Sequence, residues 1–166
     1  LNGKKLLITG GTSGIGFHIA KKALSCGAYV VITGRNEQRL KDAVNNLSST
    51  KCQYVIWDHS DISILPTKLS EVIKILGDID VVINNAGVPP MKFFSQVDEE
   101  EWNRIYNTNL KGPYFLIQNV VEYWKQESFS GYKKILNISS QGGFVGATYP
   151  YRMTKWDLRG LTEGLG

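Results

Sequence analysis

Five short apolar runs rich in β-branched residues, at 5–9, 29–33, 53–57, 80–83 and 134–138, alternate along this chain with segments of helical hydrophobic spacing at 15–24, 37–47, 62–76, 100–124 and from about 150 onward. Continuous apolar runs of this length are expected of strands buried on both faces. A strand that must be followed by a helix before the next strand forms pairs in parallel, because each parallel pair needs a crossover, and right-handed crossovers place helices outside the sheet. The pattern therefore predicts a single-domain α/β fold with a doubly wound parallel sheet. Asp61 is positioned to cap the third helix and Asp98 precedes the acidic first turn of the fourth, Glu99, Glu100 and Glu101. Gly27 and Gly77 follow helices as stop signals.

The bulk composition fits one soluble domain: 166 residues, 42% apolar and 20% charged. The 19 basic and 15 acidic residues give a net charge of +4, but they are dispersed and no basic run exceeds a Lys-Lys pair, which argues against a nucleic-acid surface. Cys26 and Cys52 fall outside any C-x-x-C pattern and His18 and His59 stand alone, so no metal site and no disulfide framework is expected. No apolar run approaches the roughly 18 to 20 residues of a membrane span, and the first residues lack a secretory layout. A cytoplasmic protein without membrane association is the expectation.

The first apolar run leads directly into Thr9, Gly10, Gly11, Thr12, Ser13, Gly14, Ile15 and Gly16, after which a helix begins. Glycines at such a turn let backbone approach a pyrophosphate, and the helix N-terminus offers oriented N–H groups. The spacing is G-x-x-x-G-x-G and lacks the Gly-Lys-Ser/Thr ending of an ATP-binding loop. Three glycines after a strand also serve a simple tight turn; the position in the first crossover is what favours a dinucleotide. Ser13 does not satisfy the G-x-S-x-G pattern of a hydrolase nucleophile.

The second run ends at Thr33, Gly34 and Arg35, where an acidic residue would bind the ribose hydroxyls of NAD. Arg35 instead suits a 2′-phosphate, which favours NADP over NAD, although a surface arginine at a helix start is the plain alternative. Asp58, after the third run, is a candidate acceptor for the adenine amino group or merely a strand terminator.

Near the end of the chain two tyrosines, Tyr149 and Tyr151, precede Lys155. A phenol titrates near about 10, and a neighbouring ammonium draws that value toward neutrality, so a tyrosine acting as an acid or base needs the lysine beside it. On a helix Lys155 lies about 40° round from Tyr151 but about 240° from Tyr149. Pro150 favours the first helical position and leaves Tyr149 extended outside it. Tyr151 is the candidate acid/base, and Tyr149 a cleft wall or packing residue.

The glycine turn, the sequence Asn84, Asn85, Ala86, Gly87 after the fourth run, and Tyr151-x-x-x-Lys155 together resemble the classical short-chain dehydrogenase/reductase family, in its order and over the whole chain. The resemblance implies a Rossmann-type fold over residues 1–166 and an oxidoreductase moving hydride between NADP(H) and a carbonyl or alcohol substrate. It assigns catalysis to Asn109, Ser140, Tyr151 and Lys155, with Ser140 holding the substrate oxygen, Asn109 a water relay, and Lys155 also a ribose ligand. Strand alternation turns the neighbouring Ser139 to the other face. Cofactor contacts fall to Gly10, Thr12, Ser13, Gly14, Ile15, Gly16, Arg35, Asp58, Asn85, Ala86, Gly87, Tyr151 and Lys155, with Asn84 shaping the same side of the cleft and Asn85 or Ala86 alternatively packing only. The asparagine interrupts a long helix in the family, and Gly112-Pro113 here agrees with a local irregularity.

A homodimer or homotetramer is implied, with Tyr123, Trp124, Trp156 and Leu161 facing a second subunit or, equally, buried in the monomer. Two departures stand out. Ser140 and Tyr151 are closer in sequence than is usual in the family, so loop 142–148 is short, and its Gly142, Gly143 and Gly146 suit a mobile loop or tight turns. The chain also ends within the helix that carries Tyr151, so it is expected to lack the family's C-terminal strands and to be part of a longer polypeptide. A non-catalytic dinucleotide-sensing or scaffold protein of the same fold is the rival reading.

Overall fold

The computed structural model describes residues 1–126, 131–146 and 148–166. Five strands, β1 (Lys5–Ile8), β2 (Tyr29–Gly34), β3 (Cys52–Ile56), β4 (Val81–Asn84) and β5 (Lys134–Asn137), form one sheet in the order β3-β2-β1-β4-β5. Every pairing is parallel, with Leu6 opposite both Val30 and Val81, and Asn84 opposite Asn137. The helices are α1 (Gly14–Ser25), α2 (Glu37–Leu47), α3 (Leu65–Leu76), α4 (Glu99–Tyr106), α5 (Gly112–Gln126) and α6 (Pro150–Leu165). The order reverses between β1 and β4, and at such a switch point the carboxyl ends of the strands open a crevice.

Alternation along the strands divides the core into two layers. Leu6, Ile8, Val30, Ile32 and Ile83 pack with Ala20, Ala23, Leu40 and Ala43 of α1 and α2. Leu7, Val31, Val55 and Val82 pack with Leu69, Val72 and Leu76 of α3 and with Leu116 and Val120 of α5. Each Val, Leu or Ile side chain among them contributes roughly 1.5–3 kcal/mol on burial. Burial on both faces holds for β1, β2 and β4, whereas β5 alternates exposed and half-buried residues and β3 exposes Gln53 and Ile56. Those two strands lie at the sheet edges. Among the described residues no helix is long and apolar enough to cross a membrane.

Helix ends follow local chemistry, with one correction. Asn36 caps α2 by accepting from Arg39 N at 2.9 Å, and Asp98 caps α4 by accepting from Glu101 N at 2.9 Å. Gly77 ends α3 in the left-handed conformation. Asp61 does not cap α3: its carboxylate accepts from Ser63 N and Ser63 Oγ in a turn of its own, and the helix starts at Leu65, followed by Pro66.

Between α4 and α5 the helix widens into a π segment, Asn107–Lys111. At its end Gly112 meets the carbonyl of His59, and a Cβ there would stand 2.1 Å from that oxygen. Only glycine lets the rod run this close to the loop after β3. Trp124, on α5, donates its indole N–H to Ile79 O at 2.8 Å, so it is anchored within this chain.

Candidate active site

The turn after β1 is braced by the turn after β4. Thr9 Oγ1 accepts from Asn85 N at 3.0 Å and Ala86 N at 2.9 Å, and Asn85 Nδ2 donates to Thr9 O and Gly10 O. The Asn85 amide fills the space beside Gly16, where a Cβ would lie 2.4 Å from Nδ2 and 2.6 Å from Gly10 O. Ser13, Gly14 and Ile15 are exposed at the start of α1, and the Ser13 side chain makes no cap. The first-turn N–H groups and their partial positive charge are thus left for an anion.

Beside this turn opens a cavity of about 410 Å³. Of the residues expected to hold a dinucleotide, Gly10, Thr12, Ser13, Ile15, Arg35, Asp58, Asn85, Ala86 and Gly87 line it. Gly14 and Gly16 lie in the same turn but do not line the cavity, Gly14 being exposed and Gly16 buried. The sequence pattern did not single out Arg39, Trp57, His59 and Thr108, which also line it. Arg39 lies in the first turn of α2, and Arg35 just ahead of that helix's cap, Asn36.

Neither arginine forms an ion pair among the described residues. The neighbouring acid, Glu37, is bound to Lys41 Nζ at 2.9 Å and accepts from Tyr54 Oη, and the Lys41 hydrogen bond holds its carboxyl below the usual range. Asp58 Oδ1 accepts from Ser60 N and Ser60 Oγ. With Arg35 and Arg39 set against the single carboxylate of Asp58, the charged side chains of the lining sum to a net positive charge.

His59 forms the floor. Its Nε2 lies 2.6 Å from Thr33 Oγ1 and its ring stacks on Trp57 at 4.4 Å. Burial drives the imidazole down to about 3, against a small opposing pull from Asp58.

Asn109, Ser140, Tyr151 and Lys155 do not line this cavity, but Asn109 and Lys155 approach it at Gly87. Pro150 begins α6 and Tyr149 is extended outside it (φ −94°, ψ 135°). Lys155 is buried, its Nζ lies 5.8 Å from the Tyr151 ring centroid, and it donates to Ile138 O at 2.7 Å. Burial pulls its pKa below the ordinary lysine value. A Cβ built on Gly87 would lie 3.4 Å from Asn109 Oδ1 and 3.8 Å from Lys155 Nζ, so three elements converge on this cavity residue. Asn109, buried in the π segment, accepts from Val88 N at 2.8 Å and donates to Val88 O at 3.0 Å.

Ser139 and Ser140 lie beyond the end of β5, where strand alternation no longer applies. Their hydrogen bonds distinguish them instead. Ser139 donates its one proton to Lys155 O at 3.0 Å, whereas Ser140 Oγ accepts from Gly142 N at 3.0 Å and keeps its own O–H for another acceptor. Gly142 and Gly143 are buried against Arg152 and Ser139, so at these positions the loop is closely packed. Ala147 of loop 142–148 lies outside the described residues.

A family profile described as short chain dehydrogenase matches residues 4–166. The chain belongs to the short-chain dehydrogenase family. It is 34% identical over 164 residues to an uncharacterized oxidoreductase of Staphylococcus epidermidis, spanning 98% of this chain and 70% of that one. It is 34% identical over 147 residues to an NADP-dependent (R)-specific alcohol dehydrogenase of Lentilactobacillus kefiri, spanning 88% of this chain and 58% of that one. An actinorhodin polyketide ketoreductase variant solved with NADPH superimposes with a TM-score of 0.90 at 28% identity, covering 99% of this chain and 64% of that one. A short-chain dehydrogenase from Streptomyces avermitilis gives a TM-score of 0.88 at 29% identity, with 99% and 60% covered. The chain thus spans less than two thirds of the length of these solved structures.

Proposed function

We propose that the protein is an NADP(H)-dependent oxidoreductase of a carbonyl or alcohol group, with residues 1–166 as its dinucleotide-binding domain. The observation that carries this reading is the convergence of Lys155 and Asn109 on Gly87, at the edge of the cavity whose far end holds Arg35. The bare first turn of α1 and the exposed Ser13, Gly14 and Ile15 fit a pyrophosphate. Arg35 and Arg39, free of carboxylate partners among the described residues, support NADP over NAD. The similarity to an NADP-dependent alcohol dehydrogenase and to a ketoreductase holding NADPH points the same way.

When bound, the cofactor supplies or accepts hydride. The chain's own residues manage the proton and the oxygen. Tyr151 gives a proton to the carbonyl oxygen during reduction, or takes it from the alcohol during oxidation. The Lys155 ammonium stabilises the negative charge that Tyr151 acquires when it gives up that proton. Ser140 donates its unspent O–H to the same substrate oxygen. Asn109 fixes Val88, and with it the wall next to Gly87, through both its amide atoms. The same reading expects self-association through α5 and α6, where Tyr114, Ile117, Leu161 and Leu165 line an open apolar groove.

The decisive assay mixes the polypeptide with NADPH and a panel of ketones and follows loss of reduced cofactor. Ketone-dependent consumption is expected, and Tyr151→Phe should lower turnover by about 10²–10⁴-fold while NADPH affinity stays within about threefold. Tight NADPH binding with no consumption for any ketone refutes the reading and favours a non-catalytic dinucleotide sensor.

A further inference from the structure

The segment after Gly87 is held by side chains at every backbone donor it has. Pro89 and Pro90 carry no N–H, so residues 88–91 offer only the N–H groups of Val88 and Met91. The first goes to Asn109 Oδ1 at 2.8 Å and the second to Glu101 Oε1 at 2.7 Å. Two carbonyls are bound in return: Val88 O accepts from Asn109 Nδ2 at 3.0 Å and Pro89 O from Arg104 Nη2 at 2.6 Å. Glu101 and Arg104 also grip each other, Nε to Oε2 at 2.8 Å and Nη2 to Oε1 at 3.1 Å. Glu101 is 4% exposed although it sits in the acidic first turn of α4, where Glu99 and Glu100 face solvent.

This is not the layout of a surface ion pair, whose two charges serve only each other. Here each charge has a second task of opposite kind: the carboxylate must accept and the guanidinium must donate, at two points on one loop. What the loop displays is apolar. Met91 is 76% exposed and Phe93 72%, and both line a cavity of about 250 Å³ with Pro90, Lys92 and Tyr149, next to the start of α6. The one cation of that lining, Lys92, is bound to Asp98 and so is not available to a charged substrate.

We propose that Glu101 and Arg104 are positioning residues of the substrate site. With Asn109 they hold residues 88–91 as a fixed wall, from which Met91, with Phe93 two residues further along, meets an apolar substituent of the ketone. The inference rests on the proposed function and names the substrate class, an uncharged ketone with an aryl or alkyl arm. Fixing such a wall in advance lowers the ordering cost of binding, so loosening it should appear in substrate affinity.

The test uses the polypeptide with NADPH and either acetophenone or 2-octanone. Glu101→Ala and Arg104→Ala should each raise KM about tenfold, with kcat within about threefold and NADPH affinity within about twofold. The double variant Glu101→Arg with Arg104→Glu separates positioning from stabilisation. It keeps an ion pair but presents a donor to Met91 N and an acceptor to Pro89 O, so thermal stability should recover while KM does not. Quenching of reduced-nicotinamide fluorescence gives the ketone dissociation constant even without turnover. Recovery of KM together with stability, or single variants with unchanged KM, overturns the inference alone. A native NADPH complex that neither binds nor reduces any ketone overturns the proposed function, and this inference with it.

Discussion

Lowering the pH from 7.5 to 5 should cost the folded chain about 2 kcal/mol through His59 alone. Its imidazole titrates near 6.5 in an unfolded chain and is pushed to about 3 in the fold, because burial against Trp57 removes it from water. The folded state thus excludes a proton that the unfolded state binds. Stability from this group is fully present above 6.5 and is lost progressively as pH falls toward 3. At pH 5 the unfolded imidazole is about 1.5 units below its midpoint, which at 1.36 kcal/mol per unit gives the figure of about 2. The carboxyls held below their ordinary values, such as Asp80 and Glu101, lose their contribution mainly below 4.5, and Cys52, raised to about 11, titrates far above the window. Urea unfolding at the two pH values measures the difference directly. In His59→Asn the absolute stability should fall, but the difference between the two pH values should shrink below about 0.5 kcal/mol. An equal pH dependence in native protein and variant would show that His59 does not titrate as its burial requires.

Arg35→Asp should weaken NADPH by about 100-fold and NADH by less than about threefold, since it removes a phosphate fork and supplies a carboxylate suited to ribose hydroxyls; equal losses in fluorescence titration would sink the assignment. Gly16→Ala places a Cβ 2.4 Å from Asn85 Nδ2 and 2.6 Å from Gly10 O, and should cost about 1–3 kcal/mol in urea unfolding while also weakening NADPH binding. Unchanged stability would mean that the Asn85 brace moves aside freely.

What the sequence makes legible here is what depends on near neighbours. Tyr151 and Lys155 need only helical geometry and a proline, and the strands β1, β2 and β4 need only apolar runs that both layers of the core require. The departures come from partners remote in sequence. Asp61 has the composition of a cap, yet Ser63 captures its carboxylate and Pro66 falls in the first turn of the helix that starts at Leu65. The π segment is hinted at by Gly112-Pro113, but the close approach of Gly112 to the His59 carbonyl, supplied by the loop after β3, is visible only in the fold. Ser139 and Ser140 are chemically identical, and β5 ends too early for alternation to separate them; the Lys155 carbonyl and the Gly142 N–H do so. Glu101 and Arg104 make the same point most sharply. Opposite charges three residues apart on a helix ordinarily contribute only a few tenths of a kcal/mol. Their second partners, Met91 N and Pro89 O, lie on a loop whose prolines strip it of other donors, and only the fold brings that loop within reach. A local pattern states which charges attract each other; the tertiary structure decides what else those charges must hold.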